Sequence, residues 1–291
     1  MSPDPFLLER AAVRRGFERA SARYDAYAAL ATRVRGELLR RLELLDFEPA
    51  VVLDLGTGTG HAARALRERW RGATLIAVDV AAGMLREAGR RQGWRRRFGR
   101  VRADSAALPL ASGRIELVYS NLLLPWALDL EAELAEVRRV LAPRGYFTFA
   151  TLGPDTLREL RAAWAEVDGL VHVHRFFDLH DIGDALQRAG FADPVMDVDR
   201  YTLTYPSFAA LLAELRGVGA GNALAGRARG LGGRSRRARL EAAYERFRQP
   251  DGRYPASCEV VYGQAWCPGS TPPVRSRRGE VVVPLASLGR R

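Results

Sequence analysis

Ala50-Val51-Val52-Leu53-Asp54-Leu55-Gly56-Thr57-Gly58-Thr59-Gly60-His61 is the stretch that decides the fold. Its first half is a short, nearly continuous apolar run, the pattern of a strand buried on both faces of a parallel sheet. Its second half carries a glycine at every other position, and a helical pattern starts at His61 and runs to about Trp70. Glycines between a strand and a helix let the chain turn tightly and come against a ligand without Cβ interference. Outward from this stretch, Thr74-Leu75-Ile76-Ala77-Val78-Asp79 reads as a second strand, followed by a helix to about Arg91. A weaker strand is expected near residues 99–103, and Ile115-Glu116-Leu117-Val118-Tyr119-Ser120 is the fourth. A helix over about 130–141, a turn at Pro143-Arg144-Gly145 and a fifth strand over 146–151 complete the pattern. Strands alternating with helices predict an α/β fold, a doubly wound, mostly parallel Rossmann-like sheet. Its right-handed crossovers gather the loops after each strand along one rim, where ligands bind.

Before this core, residues 11–45 read as helix, with Phe17, Tyr24, Leu30, Val34, Leu38 and Leu42 at near-helical spacing. After Thr151 the pattern changes. Residues 154–167 and 179–189 look helical, 195–204 alternate like a strand exposed on one side, and 207–216 are helical again. Residues 217–233 are rich in glycine and arginine, 241–247 form a short helix, and 258–266 close as a strand. The expected division is an N-terminal helical segment (1–48) and a core (49–204 with 255–267). A helical basic insertion (205–254) is expected over the ligand rim, and a flexible basic tail at 268–291.

With 291 residues, 47% of them hydrophobic, the chain can bury one large domain with an insertion. No apolar run reaches the ~18–20 residues that cross a bilayer, and the first ten residues lack a basic-then-apolar signal pattern. A cytoplasmic protein without a membrane partner is expected. Cys258 and Cys267 give neither a disulfide framework nor metal-ligand spacing. His172 and His174 could share one face of a strand, but no third ligand accompanies them, so no metal is expected.

The net charge is +11, and all 45 basic residues are arginine. Guanidinium groups are permanently charged and grip carboxylates or phosphates bidentately, so the surface favours an acidic partner. Two clusters are expected to differ. Arg90, Arg91, Arg95, Arg96, Arg97, Arg100 and Arg102 surround the start of the third strand, on the rim opposite the ligand loops. Arg227, Arg229, Arg234, Arg236, Arg237 and Arg239 lie in the insertion, with no acid before Glu241 to compensate them locally.

A dinucleotide fingerprint beginning at Gly56 would need glycine at position 61, where His61 stands. An Asp-x-Gly-x-Gly-x-Gly loop, with an acid closing the next strand at Asp79, suits S-adenosylmethionine (SAM) instead. The expected cofactor residues are therefore Asp54, Gly56, Thr57, Gly58 and Gly60 at the methionine part, and Asp79 at the ribose hydroxyls. Asp104 and Ser105, after the third strand, are expected at the adenine, and Asn121 after the fourth. For Asp104 alone, a helix N-cap or turn is the competing reading. The loop Ser120-Asn121-Leu122-Leu123-Leu124-Pro125-Trp126 lacks the Asn-Pro-Pro-aromatic sequence of enzymes that methylate amino groups on adenine or glutamine. It is apolar, with Trp126 serving equally well as a wall for the acceptor or as plain core.

Phe17-Glu18-Arg19-Ala20 through Tyr24-Asp25, the loop at 54–60, Ser120-Asn121-Leu122 through Trp126, and Thr151-Leu152-Gly153-Pro154-Asp155-Thr156-Leu157 carry a family resemblance. With Arg175-Phe176, Gly219 through Asn222 and Glu259 through Trp266, the chain resembles the malonyl-[acyl-carrier protein] O-methyltransferase family over roughly residues 10–267. Many relatives have cysteine where Thr57 stands, and the resemblance is not expected to extend past Cys267. The resemblance implies a class I SAM-dependent methyltransferase acting on the free carboxylate of a malonyl thioester, the opening step of pimeloyl and biotin synthesis. It also implies an acidic acyl-carrier protein as partner and acceptor-side roles for Tyr24 and Arg175. The chemistry is consistent with the base-free loop, since a carboxylate of pKa ~4 is already ionised at neutral pH. A neighbouring family shares much of the pattern, the mitochondrial complex I assembly factor that hydroxylates an arginine, and it stays open at this point. A nucleic-acid methyltransferase is disfavoured, because no aromatic-rich RNA module accompanies the charge.

Overall fold

The computed structural model describes residues 7–43, 45–93, 97–227 and 233–269. Five strands run parallel: β1 (Val51–Leu55), β2 (Thr74–Asp79), β3 (Gly99–Arg102), β4 (Ile115–Asn121) and β5 (Leu141–Leu152). β6 (Ala192–Tyr205) and β7 (Tyr254–Trp266) add an antiparallel edge, giving the order β3-β2-β1-β4-β5-β7-β6. The order reverses between β1 and β4, so the crevice beyond their carboxyl ends is the topological switch point, where open α/β sheets bind ligands. This is the mostly parallel, doubly wound sheet that the sequence predicts.

The helices are α1 (Arg10–Ala20), α2 (Ala29–Leu42), α3 (His61–Arg69), α4 (Ala82–Arg91), α5 (Leu130–Val140), α6 (Arg158–Val167), α7 (Leu179–Arg188), α8 (Phe208–Gly217) and α9 (Arg234–Tyr244). Strand alternation divides the core between the two sheet faces. Leu53, Val118, Phe147 and Val261 pack under α5 and α7, whereas Val52, Leu117, Tyr146 and Val260 pack under α2 and α3. A third cluster joins α6, α8 and α9 through Leu160, Phe208 and Tyr244 and packs them on the ends of β6 and β7 through Tyr205, Tyr254 and Ala256.

Three differences from expectation matter most, beyond shifts of up to four residues at the starts of α6, β6 and β7. The single helix expected over 11–45 is two, α1 and α2, with a one-turn 3-10 segment at Tyr24–Ala26 between them. Long-range contacts hold α1 at its own angle: Glu18 accepts from the Gly83 amide at 2.8 Å and from Arg86 at 2.9 Å at the start of α4. β5 starts at Leu141, paired with Ile115, and absorbs the expected turn as an irregularity in which Arg144 takes φ +63°. α9 starts at Arg234 rather than near 241, because Leu240 and Tyr244 bury against α6.

The arginine clusters are less simple than their sequence positions imply. Arg91 belongs to the ligand side after all: it pairs with Asp25 at 2.6 Å and donates to the Thr59 carbonyl of the glycine loop. In the insertion, Arg236 is compensated by Asp168 and Arg227 by Glu9, acids distant in sequence. Arg95, Arg96, Arg229 and the tail from residue 270 lie outside the described residues. Among those described, no helix is long and apolar enough to cross a membrane.

Candidate active site

The glycine loop needs each of its glycines for a different reason. Gly56, Gly58 and Gly60 take φ of +76°, +54° and +83°, the left-handed region that side chains rarely adopt. A Cβ on Gly60 would lie 2.7 Å from the Ala88 Cβ, so that glycine lets α3 approach α4. A Cβ on Gly56 would meet the Leu123 side chain at 2.6 Å. A Cβ on Gly58 would meet nothing within 4 Å and would stand in open space. Gly58 lines a cavity at the switch point.

Asp79 fixes the loop from the neighbouring strand. Its Oδ2 accepts from the Gly58 amide and its Oδ1 from the Ala81 amide, both at 2.9 Å. Burial pushes its carboxyl up to about 6, against the pull of these amides. Asp54 works from underneath. It is 1% exposed and accepts from the Thr57 hydroxyl at 2.6 Å, and burial raises it to about 7.

Of the residues expected at the cofactor, Gly56, Gly58, Asp79, Asp104, Ser105 and Asn121 line the main cavity. Asp54, Thr57 and Gly60 do not. Asp54 and Thr57 face a small side pocket with Arg35, while Gly60 serves helix packing. Arg10, Arg35 and Glu133 belong to this region and escaped the sequence reading. Arg10, from α1, pairs with Asp104 at 2.9 Å across the end of the cavity. Glu133, 4% exposed on α5, is pushed up to about 7 by burial, with Asp104 adding to the rise. Its Oε2 and the Oδ1 of Asn121 are buried without a hydrogen-bond partner among the described residues, and both residues line the cavity. Unpaired acceptors of this kind are costly unless a ligand meets them.

A second cavity adjoins the first. Four residues line both: Phe17, Tyr24, Leu122 and Trp126. Trp126 is therefore a wall between two chambers rather than plain core, held edge-on by Phe17 with ring centroids 5.2 Å apart. Tyr24 also lines the side pocket that holds Arg35. Burial pushes its phenol up to about 12, with Asp79 and Asp25 adding to the effect.

Arg175 is not where it was expected. In the run before α7, His172, Val173, His174 and Phe176 line the second cavity, whereas Arg175 is exposed and lines neither cavity. His174 is anchored instead, its Nε2 3.0 Å from the Pro125 carbonyl and its ring 5.0 Å from that of Trp126. Burial holds it down at about 4, so it is neutral at neutral pH. The unfolded chain, with a pKa near ~6.5, takes up this proton first as pH falls. The stability that neutral His174 contributes is thus full above that value and is lost as pH falls towards about 4. Urea midpoints should therefore drop more between pH ~7 and ~5 in the wild type than in His174→Gln; parallel drops would mean that His174 titrates normally in the folded protein.

A glycine loop at the switch point, a strand-end acid behind it and an adjoining acceptor chamber define a class I SAM-dependent methyltransferase. A methyltransferase domain family matches residues 24–193. A malonyl-[acyl-carrier protein] O-methyltransferase of Halorhodospira halophila is 49% identical, covering 100% of this chain and 99% of its own length. One from Laribacter hongkongensis is 50% identical over 92% of this chain and 93% of its own. The chain belongs to the malonyl-[acyl-carrier protein] O-methyltransferase family. Solved structures agree in fold: the YcgJ protein of Bacillus subtilis is 14% identical, covers 81% of this chain and 99% of its own, and has a TM-score of 0.57. Phosphoethanolamine N-methyltransferase 2 of Haemonchus contortus, solved with S-adenosyl-L-methionine, is 16% identical with a TM-score of 0.53, covering 88% of this chain and 60% of its own.

Proposed function

We propose that this protein methylates the free carboxylate of a malonyl thioester on an acidic acyl-carrier protein, the step that opens pimeloyl synthesis for biotin. The observation that carries this reading is the junction of the two chambers. Its side chains are Phe17, Tyr24, Leu122 and Trp126, and none is a base at neutral pH. Amine or phenol acceptors must lose a proton on the way to product, whereas a carboxylate is already ionised. What the protein must supply is alignment and exclusion of water, and proximity alone can contribute roughly 7–11 kcal/mol.

SAM, when bound, supplies an activated methyl group on a positively charged sulfur. The residues suit it. Asp79 would accept from the ribose hydroxyls, Asp104, Ser105 and Glu133 would face the adenine, and Asn121 Oδ1 and the Gly56–Gly58 backbone would flank the methionine part. Arg35, beside the loop in the side pocket, would pair with the methionine carboxylate. Tyr24 would donate to the acceptor carboxylate at the junction. No arginine is among the residues that line the acceptor cavity, so the nucleophile would be spared a tight guanidinium pairing that would damp it. Incubating the enzyme with SAM and malonyl-acyl-carrier protein should give a product heavier by one methyl group, sensitive to mild base as an ester. The same gene should restore growth of a biotin auxotroph lacking this step. Failure of both would overturn the assignment.

A further inference from the structure

The acceptor cavity has a second neighbour on its outer side. An open groove between α6, α8 and α9 is lined by Arg216, Arg227, Arg236 and Arg237 over an apolar floor of Trp164, Leu212 and Leu240. His172 and Asn222 line both the groove and the acceptor cavity, so the two spaces meet at these residues.

Both are fixed by the protein. His172 Nε2 lies 2.8 Å from Asp168 Oδ1, and its ring stacks on Trp164 with centroids 3.6 Å apart. Asn222 donates to the Val171 carbonyl at 3.1 Å and accepts from the Leu224 amide at 3.0 Å. The neck is thus built before any acceptor arrives.

The four arginines divide into two kinds. Arg236 is held by Asp168 at 2.8 Å, and Arg227 by Glu9 at 2.5 Å. Together with His172 and Arg236, the Leu170 amide holds the Asp168 carboxyl down at about 2 against the effect of burial, so it is ionised. Arg216 and Arg237 are exposed and have no side-chain partner among the described residues. Four guanidiniums against two carboxylates leave the groove with two uncompensated positive charges at the mouth of a chamber that no arginine lines.

We propose that this groove binds the phosphate of a phosphopantetheine thioester, with Arg216 and Arg237 as its ligands. The pantetheine arm then passes between His172 and Asn222 into the apolar chamber and brings the acyl end to Tyr24. The charge is placed where an arm carrying phosphate at one end and a thioester at the other needs it. Arginine's planar fork matches phosphate oxygens, and the apolar floor suits the arm rather than a second anion. This rests on the acceptor proposed above and deepens it: the acceptor is read by its phosphate, a feature common to carrier protein and coenzyme A.

The test compares malonyl-pantetheine, malonyl-phosphopantetheine, malonyl-coenzyme A and malonyl-acyl-carrier protein on the wild type and on the Arg216→Gln/Arg237→Gln variant. In the wild type, phosphorylation of the pantetheine should lower KM about tenfold, a preference that shrinks at high salt. The variant should lose most of that preference and lose similarly on coenzyme A and carrier protein, with kcat and all constants for malonyl-pantetheine unchanged. A preference that survives in the variant would overturn the inference, as would equal losses on malonyl-pantetheine. A loss confined to the carrier protein would overturn it too, in favour of a protein-docking face. If the wild type methylates none of the four, the acceptor assignment itself falls, and the groove's role falls with it.

Discussion

Asp79→Ala is expected to weaken SAM binding about ten- to a hundredfold, since hydrogen bonds to a charged group contribute about 1.5–3 kcal/mol and tenfold is about 1.4 kcal/mol. Two losses combine in this one carboxylate. It would accept from the ribose hydroxyls, and it also holds the Gly58 and Ala81 amides at 2.9 Å, which shape the loop around the cavity. Calorimetry on the folded variant reads the first; Asp79→Asn, which keeps one acceptor oxygen for the amides, separates it from the second. The proton supplies an independent check. Burial lifts Asp79 to about 6, so in the wild type SAM affinity should fall as pH drops through that value. The ionised form is the better acceptor, and it is lost as the carboxyl takes up its proton. Asp79→Asn should bind SAM weakly with no inflection there. Unchanged affinity in a folded Asp79→Ala would remove Asp79 from the cofactor site.

How far the sequence reaches is clear from this loop. The strand, the glycines and the acid at the end of β2 are local signals, and all three fall where their spacing puts them. The division of labour within the loop is not local. Asp54 reads as a ligand but sits under the loop because Thr57 folds back on it at 2.6 Å, and Gly60 reads as a backbone contact but answers to Ala88 on α4. Arg10, Arg35 and Glu133 were hidden for the same reason: each lies on an ordinary amphipathic helix, and only packing aims it at the cofactor cavity or its side pocket. Arg175 fails in the opposite sense. His172, Val173, His174 and Phe176 line the acceptor cavity while Arg175 is exposed, and no local pattern in the sequence marks Arg175 as the neighbour left outside. The charge of the insertion was overestimated because Asp168 and Glu9 come from segments distant in sequence.

Tyr24→Phe is expected to lower kcat about tenfold or more while leaving SAM affinity nearly intact. Tyr24 lies in the 3-10 turn between α1 and α2 and is the one described residue that lines the cofactor cavity, the acceptor cavity and the Arg35 pocket. Its hydroxyl has no hydrogen-bond partner among the described residues, and burial keeps it protonated to about 12, so it is available as a donor. A malonyl carboxylate at the junction would accept that bond. The carboxylate charge is consumed as its oxygen takes the methyl group, so the bond is weaker in the transition state than before it. Its contribution to rate is therefore orientation of the attacking oxygen, which a kcat loss exceeding any rise in KM would report. Loss of SAM affinity equal to the loss of turnover would move Tyr24 to the cofactor side, and wild-type turnover would make the hydroxyl irrelevant. The pH profile separates a donor from a base. A positioning phenol leaves kcat flat across the neutral range, whereas a tyrosinate acting as a base would make kcat climb steadily with pH towards about 12. A climbing profile that Tyr24→Phe abolishes would refute both the donor role and the carboxylate acceptor, because an acceptor that is already ionised has no proton for Tyr24 to take.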